Sequence, residues 1–538
     1  MRSIDNSNFA LILLFVALVA FVSAPVWWVG TFFNQDGTPH LYNAFLIGEL
    51  VKGNSAIESF AAINPHAIPN ITGHWLLAAL LPVFGATLTT KIALSSLFAL
   101  FVASIVWLRW QTGGREGLSV YMLYAAALGL NWPWLLGFYN FVLAMSALAF
   151  TLGLWWRWRE DINLFRTACL LALLIFTFFC HLIGFSLLAV CLMLLVVTQY
   201  RRTGFRTTLL TVSVLAISSL FVLNFLSLGL SDGGLLPQWR NFVGHSGLRS
   251  LVAQVSAADP FALMTRRAIP FVETRSGLFA IFSPIVSIGS ATAILIWLTF
   301  RNKGEKDGSM FGWIVTTAIL FIIAIAGPDD FGSEHGGFLR ERLFLISLIC
   351  LLPVLRFSPG GYLSQIACVL LAFVVIFQSA VLWEYAPKAE AIGKHFLAAK
   401  EQIGNDGGLG SIVFAGGEWR FRPLPTANLS PIMGIGKNVE VWDNYELGFD
   451  FFPVISPTGE QRDFVTAFRD AANYNLDDPR EDVVGKLKRL DALLESENHR
   501  FKVLLVWNEQ AGFVSIRSKW FYPDPYFVSG PLALYRHR

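Results

Sequence analysis

The chain alternates long apolar runs with short polar ones. Runs long enough, or nearly so, to cross a bilayer fall at 9–33, 87–108, 117–131, 138–156, 164–180, 182–199, 207–229, 277–300, 310–327, 341–356 and 362–383; about 20 apolar residues suffice for a span. They predict an α-helical polytopic membrane protein of about 11 transmembrane helices, several of them short and joined by tight turns. The segment 74–85, HWLLAALLPVFG, is too short to span and reads as a helix lying at the interface. After Trp383 the pattern changes. Turn clusters (GNDGGLGS, SPTGEQ), an acidic-basic helix pattern over 478–497 and strand-like runs (SIVFAG, FKVLLVW, LALYRH) predict an extracytoplasmic α/β domain over 384–538, following a transmembrane domain over 1–383. No internal repeat is evident.

Composition sharpens this picture. Only 14% of the 538 residues are charged and 55% are apolar, against about 25% charged in soluble domains. A net charge of +3, with no basic tract interleaved with aromatics, gives no reason to expect nucleic acid as a partner. The five cysteines, Cys169, Cys180, Cys191, Cys350 and Cys368, all lie in apolar runs without CxxC spacing; they read as small buried hydrophobes, with no disulfide framework or zinc site. The first apolar run contains VSA, which resembles a signal cleavage site, but it continues through PVWWVGTFF and reads as an uncleaved first helix.

Basic residues set the orientation. With the N-terminus cytoplasmic, inside loops hold Arg109 and Arg115, Arg157 to Arg166, Arg201 to Arg206, Arg301 to Lys306, and Arg356, while the outer turns 131–140 and 180–184 hold none. An outer loop over 230–276 runs against this bias with Arg240, Arg249, Arg266, Arg267 and Arg275. The pattern predicts a multi-pass protein of a bacterial inner membrane with its C-terminal domain periplasmic.

Ionisable groups at membrane depth are costly, about 2.5–3.5 kcal/mol each on insertion scales, so their clustering carries information. The outer loop over 34–74 offers Asp36, His40, His66 and His74. Outer turns add Trp132, Tyr139, Asn140 and His181, and the loop over 327–340 leads into GSEHGGFLRER with Glu334, His335, Arg340 and Arg342. In NQDGTPHLYNAFLIGEL, a helix beginning near Thr38 places Pro39 in its first turn, where it costs no hydrogen bond. Asp36 then stands either as the helix cap or as an active-site carboxylate four residues from His40. Phosphate recognition favours guanidinium forks, which makes Arg340 and the less certain Arg342 candidate phosphate ligands; both also fit snorkelling to headgroups. His74, His181, Asn140, Glu334 and His335 are further candidate contacts. Asp36, His40, Glu334 and His335 would form a divalent-cation site if their loops converge; no other cofactor is implied. Trp132 and Trp134 of NWPWLLGFY fit an interfacial aromatic belt or a platform on which a sugar stacks, with the belt favoured.

A span from the inside, an acidic residue just outside it, an amphipathic helix, many spans and a soluble outer domain together resemble the GT-C superfamily of polytopic glycosyltransferases. NYELGFDFFPV at 444–454 and the ending GPLALYRHR are similar, more weakly, to the outer domains of bacterial members. The resemblance implies a polyprenyl-phosphate sugar donor, a lipid or glycan acceptor, and Asp36 as general base, with His40 beside it. NPHAIPNITGHWLL occupies the place of a Pro-rich motif but differs in residues, and no paired Asp-Glu follows the first span, so the donor subfamily stays open. Two alternatives use the same layout: a polysaccharide ligase or polymerase of the O-antigen type, built around Arg249, Arg266 and Arg267, and a lipid or sugar transporter or flippase, which ought to show midplane polar breaks and duplication.

Overall fold

The computed structural model describes residues 6–227, 254–255, 257–264, 283–301, 310–330, 337–357, 361–416, 419–477 and 481–538. Its helices follow the apolar runs. Numbered in chain order, they begin with α1 (Asn6–Trp28), α2 (Gly37–Val51), α3 (Ser55–Glu58), α4 (Thr72–Gly113), α5 (Leu118–Gly129), α6 (Trp132–Leu136), α7 (Tyr139–Trp158), α8 (Leu164–Cys180) and α9 (Leu182–Ser227). They continue with α10 (Pro284–Arg301), α11 (Met310–Ala326), α12 (Leu339–Leu351) and α13 (Tyr362–Lys400). Among the described residues six helices are long and apolar enough to cross a membrane, and α5, α8 and α11 are shorter apolar helices. The chain is an integral membrane protein.

Two of the long helices are each two segments. α4 breaks at Gly85 (φ 69°) and α9 at Gly204 (φ 74°), a left-handed conformation that glycine adopts without steric cost. The expected short helix over 74–85 is therefore the first arm of α4. The two runs expected over 182–199 and 207–229 meet at Gly204, without a loop between them.

The chain divides into two compact units: Met1–Ala24, Ser95–Leu135 and Tyr139–Val381 form one, and Pro25–Leu94, Leu136–Phe138 and Leu382–Arg538 the other. In the first, α7 packs on α8 and α9, and α11 packs on α12 and α9. α7 is apolar around its whole circumference and is buried accordingly. On α1, by contrast, Phe9, Ile12, Leu13 and Val16 are exposed, the kind of surface that lipid covers. Trp132 and Trp134 form no interfacial belt; both are buried. Asn131 accepts from the Trp134 amide at 3.0 Å and turns the chain inward, setting Trp132 against Phe338 and Trp134 against Phe98.

The second unit carries the sheet. Strand β2 (Asp406–Ala415) is buried along most of its length and pairs in parallel with β3 (Asn438–Val441), β5 (Asn473–Asn475) and β6 (Val503–Trp507). β8 (Leu532–Arg536) adds antiparallel to β6, and β7 (Phe527–Ser529) to β8. Three helices accompany the strands: α14 (Gly459–Ala472), α15 (Val483–Glu497) and α16 (Ala511–Trp520). Thr458 caps α14 and Asp482 caps α15, each accepting a backbone N–H in the first turn. The segment that follows α1 is built into the same unit. Its strand β1 (Ala62–Ile63) pairs antiparallel with β4 (Val454–Ile455), and Asn64 donates to the Asp450 and Phe452 carbonyls at 2.8 and 3.2 Å.

Candidate active site

α2 starts where the sequence predicts, with Pro39 in its first turn, and most of it is buried. That burial satisfies polar side chains along one face. Thr38 donates to the Asn428 carbonyl, Tyr42 to the Val439 carbonyl and Asn43 to Glu446 Oε2, while Asn444 donates to Asn43 Oδ1 at 2.9 Å. α2 is thus held by the segment 428–446 rather than by lipid.

Asp36 occupies the N-cap position but makes no capping hydrogen bond. Its amide donates to the Leu136 carbonyl at 2.8 Å. Its carboxylate instead accepts from Asn428 Nδ2 at 2.6 Å. Gly137 permits this approach: a Cβ there would lie 2.9 Å from the Gly37 amide and 2.8 Å from the Asn34 side chain. Asp36 is only 6% exposed. Burial pushes its carboxyl up to about 6, against the opposing pull of His40 and the Asn428 hydrogen bond.

One turn along, His40 meets a carboxylate that sequence reasoning missed. Glu446 is fully buried and faces both His40 Nδ1 and His74 Nε2, the latter at 2.8 Å. The two imidazole nitrogens stand 3.1 Å apart, and His74 Nδ1 donates to the Asn70 carbonyl at 2.8 Å. Burial alone would raise the Glu446 carboxyl, but the two histidines overcome it and hold it well below the usual carboxylate range. One donor atom from each of His40, His74 and Glu446 lies within 4.8 Å of the others, a spacing that suits a metal ion. Two imidazoles and one carboxylate match zinc preferences, and the Nδ1–H bond of His74 to a carbonyl is the outer-shell contact that fixes a ligating tautomer. Nearby, Asp443 accepts from Ser430, and burial pushes its carboxyl up to about 7.

The remaining predicted residues belong to the first unit or lie outside the described residues. Arg342 Nη1 stands 3.1 Å from His181 Nε2, with its guanidinium over the Phe141 ring. Asn140, beside Phe141 at the start of α7, is buried. Arg340 is fully buried; its guanidinium donates to the Ala324 and Ile325 carbonyls and to Gln254 Oε1, and Asp329 lies 3.7 Å away. Glu334 and His335, and with them the cation site expected to include them, lie outside the described residues, as do Arg240, Arg249, Arg266, Arg267 and Arg275. Glu446 sits in NYELGFDFFPV, a stretch already singled out, where it is one of two acids, with Asp450, in a largely aromatic and apolar run; nothing in the sequence marks it above Asp450.

No family model and no curated protein matches the chain. Among solved structures it is similar to ArnT from Cupriavidus metallidurans bound to undecaprenyl phosphate, with a TM-score of 0.53 at 11% identity over 97% of both chains. It is also similar to the oligosaccharyltransferase of Archaeoglobus fulgidus in complex with Zn and sulfate (TM-score 0.45, 11% identity, 94% of this chain and 69% of that one) and to ArnT in the apo state (TM-score 0.42, 12% identity, 98% of both chains). The first of these likenesses establishes a shared fold.

Removing one member of a buried charged group leaves the others uncompensated, at a cost of about 3–5 kcal/mol. Glu446→Ala is therefore expected to lower the thermal midpoint of the purified full-length protein by several degrees. A midpoint unchanged from wild type contradicts the network.

Proposed function

We propose that the chain is a GT-C-type glycosyltransferase that moves a sugar from a polyprenyl-phosphate donor to an acceptor hydroxyl at the outer face of a bacterial inner membrane. The observation that carries this reading is Asp36: a buried carboxyl at a helix start that leaves the helix uncapped, with burial pushing it up to about 6. Near neutral pH such a group is mostly ionised yet basic enough to accept a proton. The shared fold with ArnT, whose structure holds undecaprenyl phosphate, supports the substrate class.

In the proposed reaction, Asp36 takes the acceptor's hydroxyl proton as the oxygen bonds to the sugar's anomeric carbon. The bond from that carbon to the donor phosphate breaks, and the phosphate leaves with the electron pair. Positive charge on the His40 side favours the ionised form of Asp36, and a divalent cation bound by the neutral imidazole would supply that charge in its place. Within the first unit, Arg342, beside His181 and over the Phe141 ring, is proposed to bind a phosphate. Arg340 supports it by holding the end of α11 through the Ala324 and Ile325 carbonyls. His40, His74 and Glu446 would hold a divalent cation such as zinc, which would tie α2 and α4 to segment 444–449 and fix Asp36 on its helix. The arginines central to the ligase alternative lie outside the described residues, and no observation favours a transporter.

Asp36→Asn is expected to reduce sugar transfer in isolated membranes by at least about 100-fold while the protein still accumulates and folds. In wild type, kcat/KM should fall about tenfold per pH unit below pH 6, because the base is lost as the carboxyl protonates. Undiminished transfer by Asp36→Asn, or a flat acid limb, removes Asp36 from this role. The metal assignment is checked by elemental analysis: about one zinc per chain is expected in wild type and a substoichiometric amount in His74→Ala. Equal content in the two proteins contradicts it.

A further inference from the structure

Two residues remote in sequence hold Asp36. Its amide donates to the Leu136 carbonyl at 2.8 Å, and its Oδ1 accepts from Asn428 Nδ2 at 2.6 Å. Among the described residues Oδ2 accepts no hydrogen bond, yet it is not sealed from solvent. The two carboxylate oxygens are therefore unlike: one is occupied and the other is open.

That difference is not intrinsic to aspartate. The torsion that exchanges its oxygens is broad and roughly two-fold, so an untethered carboxylate presents either one. For Asn428 to choose between them, it must itself be fixed. Asn428 ends a single 3-10 turn, Pro425–Asn428, with a proline at the first position, where φ is already set. The Asn428 carbonyl accepts from the Thr38 hydroxyl, and the Leu424 amide donates to Gln35 Oε1 at 2.9 Å. Gln35, Asp36 and Thr38 are each bonded to the strap 424–428. Pro425 and Thr426 are buried, and the turn packs on β2, so the strap is anchored in the sheet rather than in the helix it orders. The donor is also neutral. It orients the carboxylate without neutralising it, as a lysine or arginine in its place would.

We propose that Asn428 is the positioning residue of the transfer reaction: its amide occupies Oδ1 and thereby commits Oδ2 of Asp36 to the acceptor hydroxyl. The inference rests on the reading of Asp36 as general base, and adds which oxygen takes the proton and what selects it. The acceptor O–H bond breaks, its proton passes to Oδ2, and the electron pair left on oxygen forms the bond to the anomeric carbon. The bond from that carbon to the phosphate oxygen gives its pair to the leaving phosphate. Misplacing a reacting group by about 1 Å costs roughly 100-fold in rate, so loss of the selection appears in turnover and not in donor binding.

The test compares full-length wild type, Asn428→Ala and the isosteric Asn428→Asp in native membranes. The polyprenyl-phosphate sugars extracted from those membranes serve as the donor probe. In Asn428→Ala, kcat is expected to fall about ten- to a hundredfold, the effect of losing one hydrogen bond to a charged group, with KM for the donor changed by less than about threefold. Asn428→Asp keeps the shape of the side chain but not the donor, and its kcat should fall at least as far. A role in packing alone predicts the reverse, wild-type kcat in Asn428→Asp. Wild-type kcat in either variant, or a loss confined to KM, overturns the proposal. Asp36→Asn distinguishes this failure from that of the underlying reading. Undiminished transfer in Asp36→Asn takes both down, whereas transfer lost in Asp36→Asn and intact in Asn428→Ala removes Asn428 alone.

Discussion

The arrangement depends on one buried carboxylate. Glu446 has no contact with water and survives as an anion because His40, His74 and Asn43 converge on it. A lone carboxylate at such a depth would cost far more than the fold could supply. The three partners come from α2 and the first arm of α4, so satisfying Glu446 forces those helices onto the segment 444–449. The β1–β4 pairing and the Asn64 hydrogen bonds extend the same attachment to the rest of the loop. What looks like a loop between spans is part of the C-terminal α/β unit.

That attachment sets the chemistry of Asp36. With α2 fixed from Thr38 to Asn43, its N-terminal residue cannot turn back to cap the helix and meets Asn428 instead. Burial and the Glu446 charge push the carboxyl up, while His40 and the Asn428 hydrogen bond pull it down. Raising it from 3.8 to about 6 corresponds to about 3 kcal/mol against the ionised form. The result is a carboxyl that still ionises near neutral pH and accepts protons more readily than a solvated one. Burial without His40 and Asn428 would push it higher still.

Much of this was legible in the sequence because it is local. Hydrophobic runs locate the helices; Pro39 marks the start of α2; Gly85 and Gly204 fall where the apolar pattern is interrupted. The turn clusters and strand-like runs after Trp383 announce the α/β region. The partners of His40 and Asp36 were not legible, because Glu446 and Asn428 are about 400 residues away in the chain and no periodicity encodes that pairing. Local spacing pairs His40 with Asp36 and groups it with Glu334 and His335 only if their loops converge; it gives no reason to choose Glu446. The burial of Trp132 and Trp134 was hidden too, since an aromatic cluster at a span end looks alike whether it faces lipid or protein. Nothing in the sequence joins His181 to Arg342; their 3.1 Å contact is a product of the fold.

The central claim, that the segment between α1 and α4 and the C-terminal segment around Glu446 are one polar site, is tested most directly by a double-mutant cycle. His74→Ala, Glu446→Gln and the pair would be compared by chemical denaturation of the purified protein. Contacting residues in one buried network couple by about 0.5–3 kcal/mol, and the upper half of that range is expected here, with the double variant less destabilised than the sum of the singles. Additivity within about 0.5 kcal/mol would contradict the account.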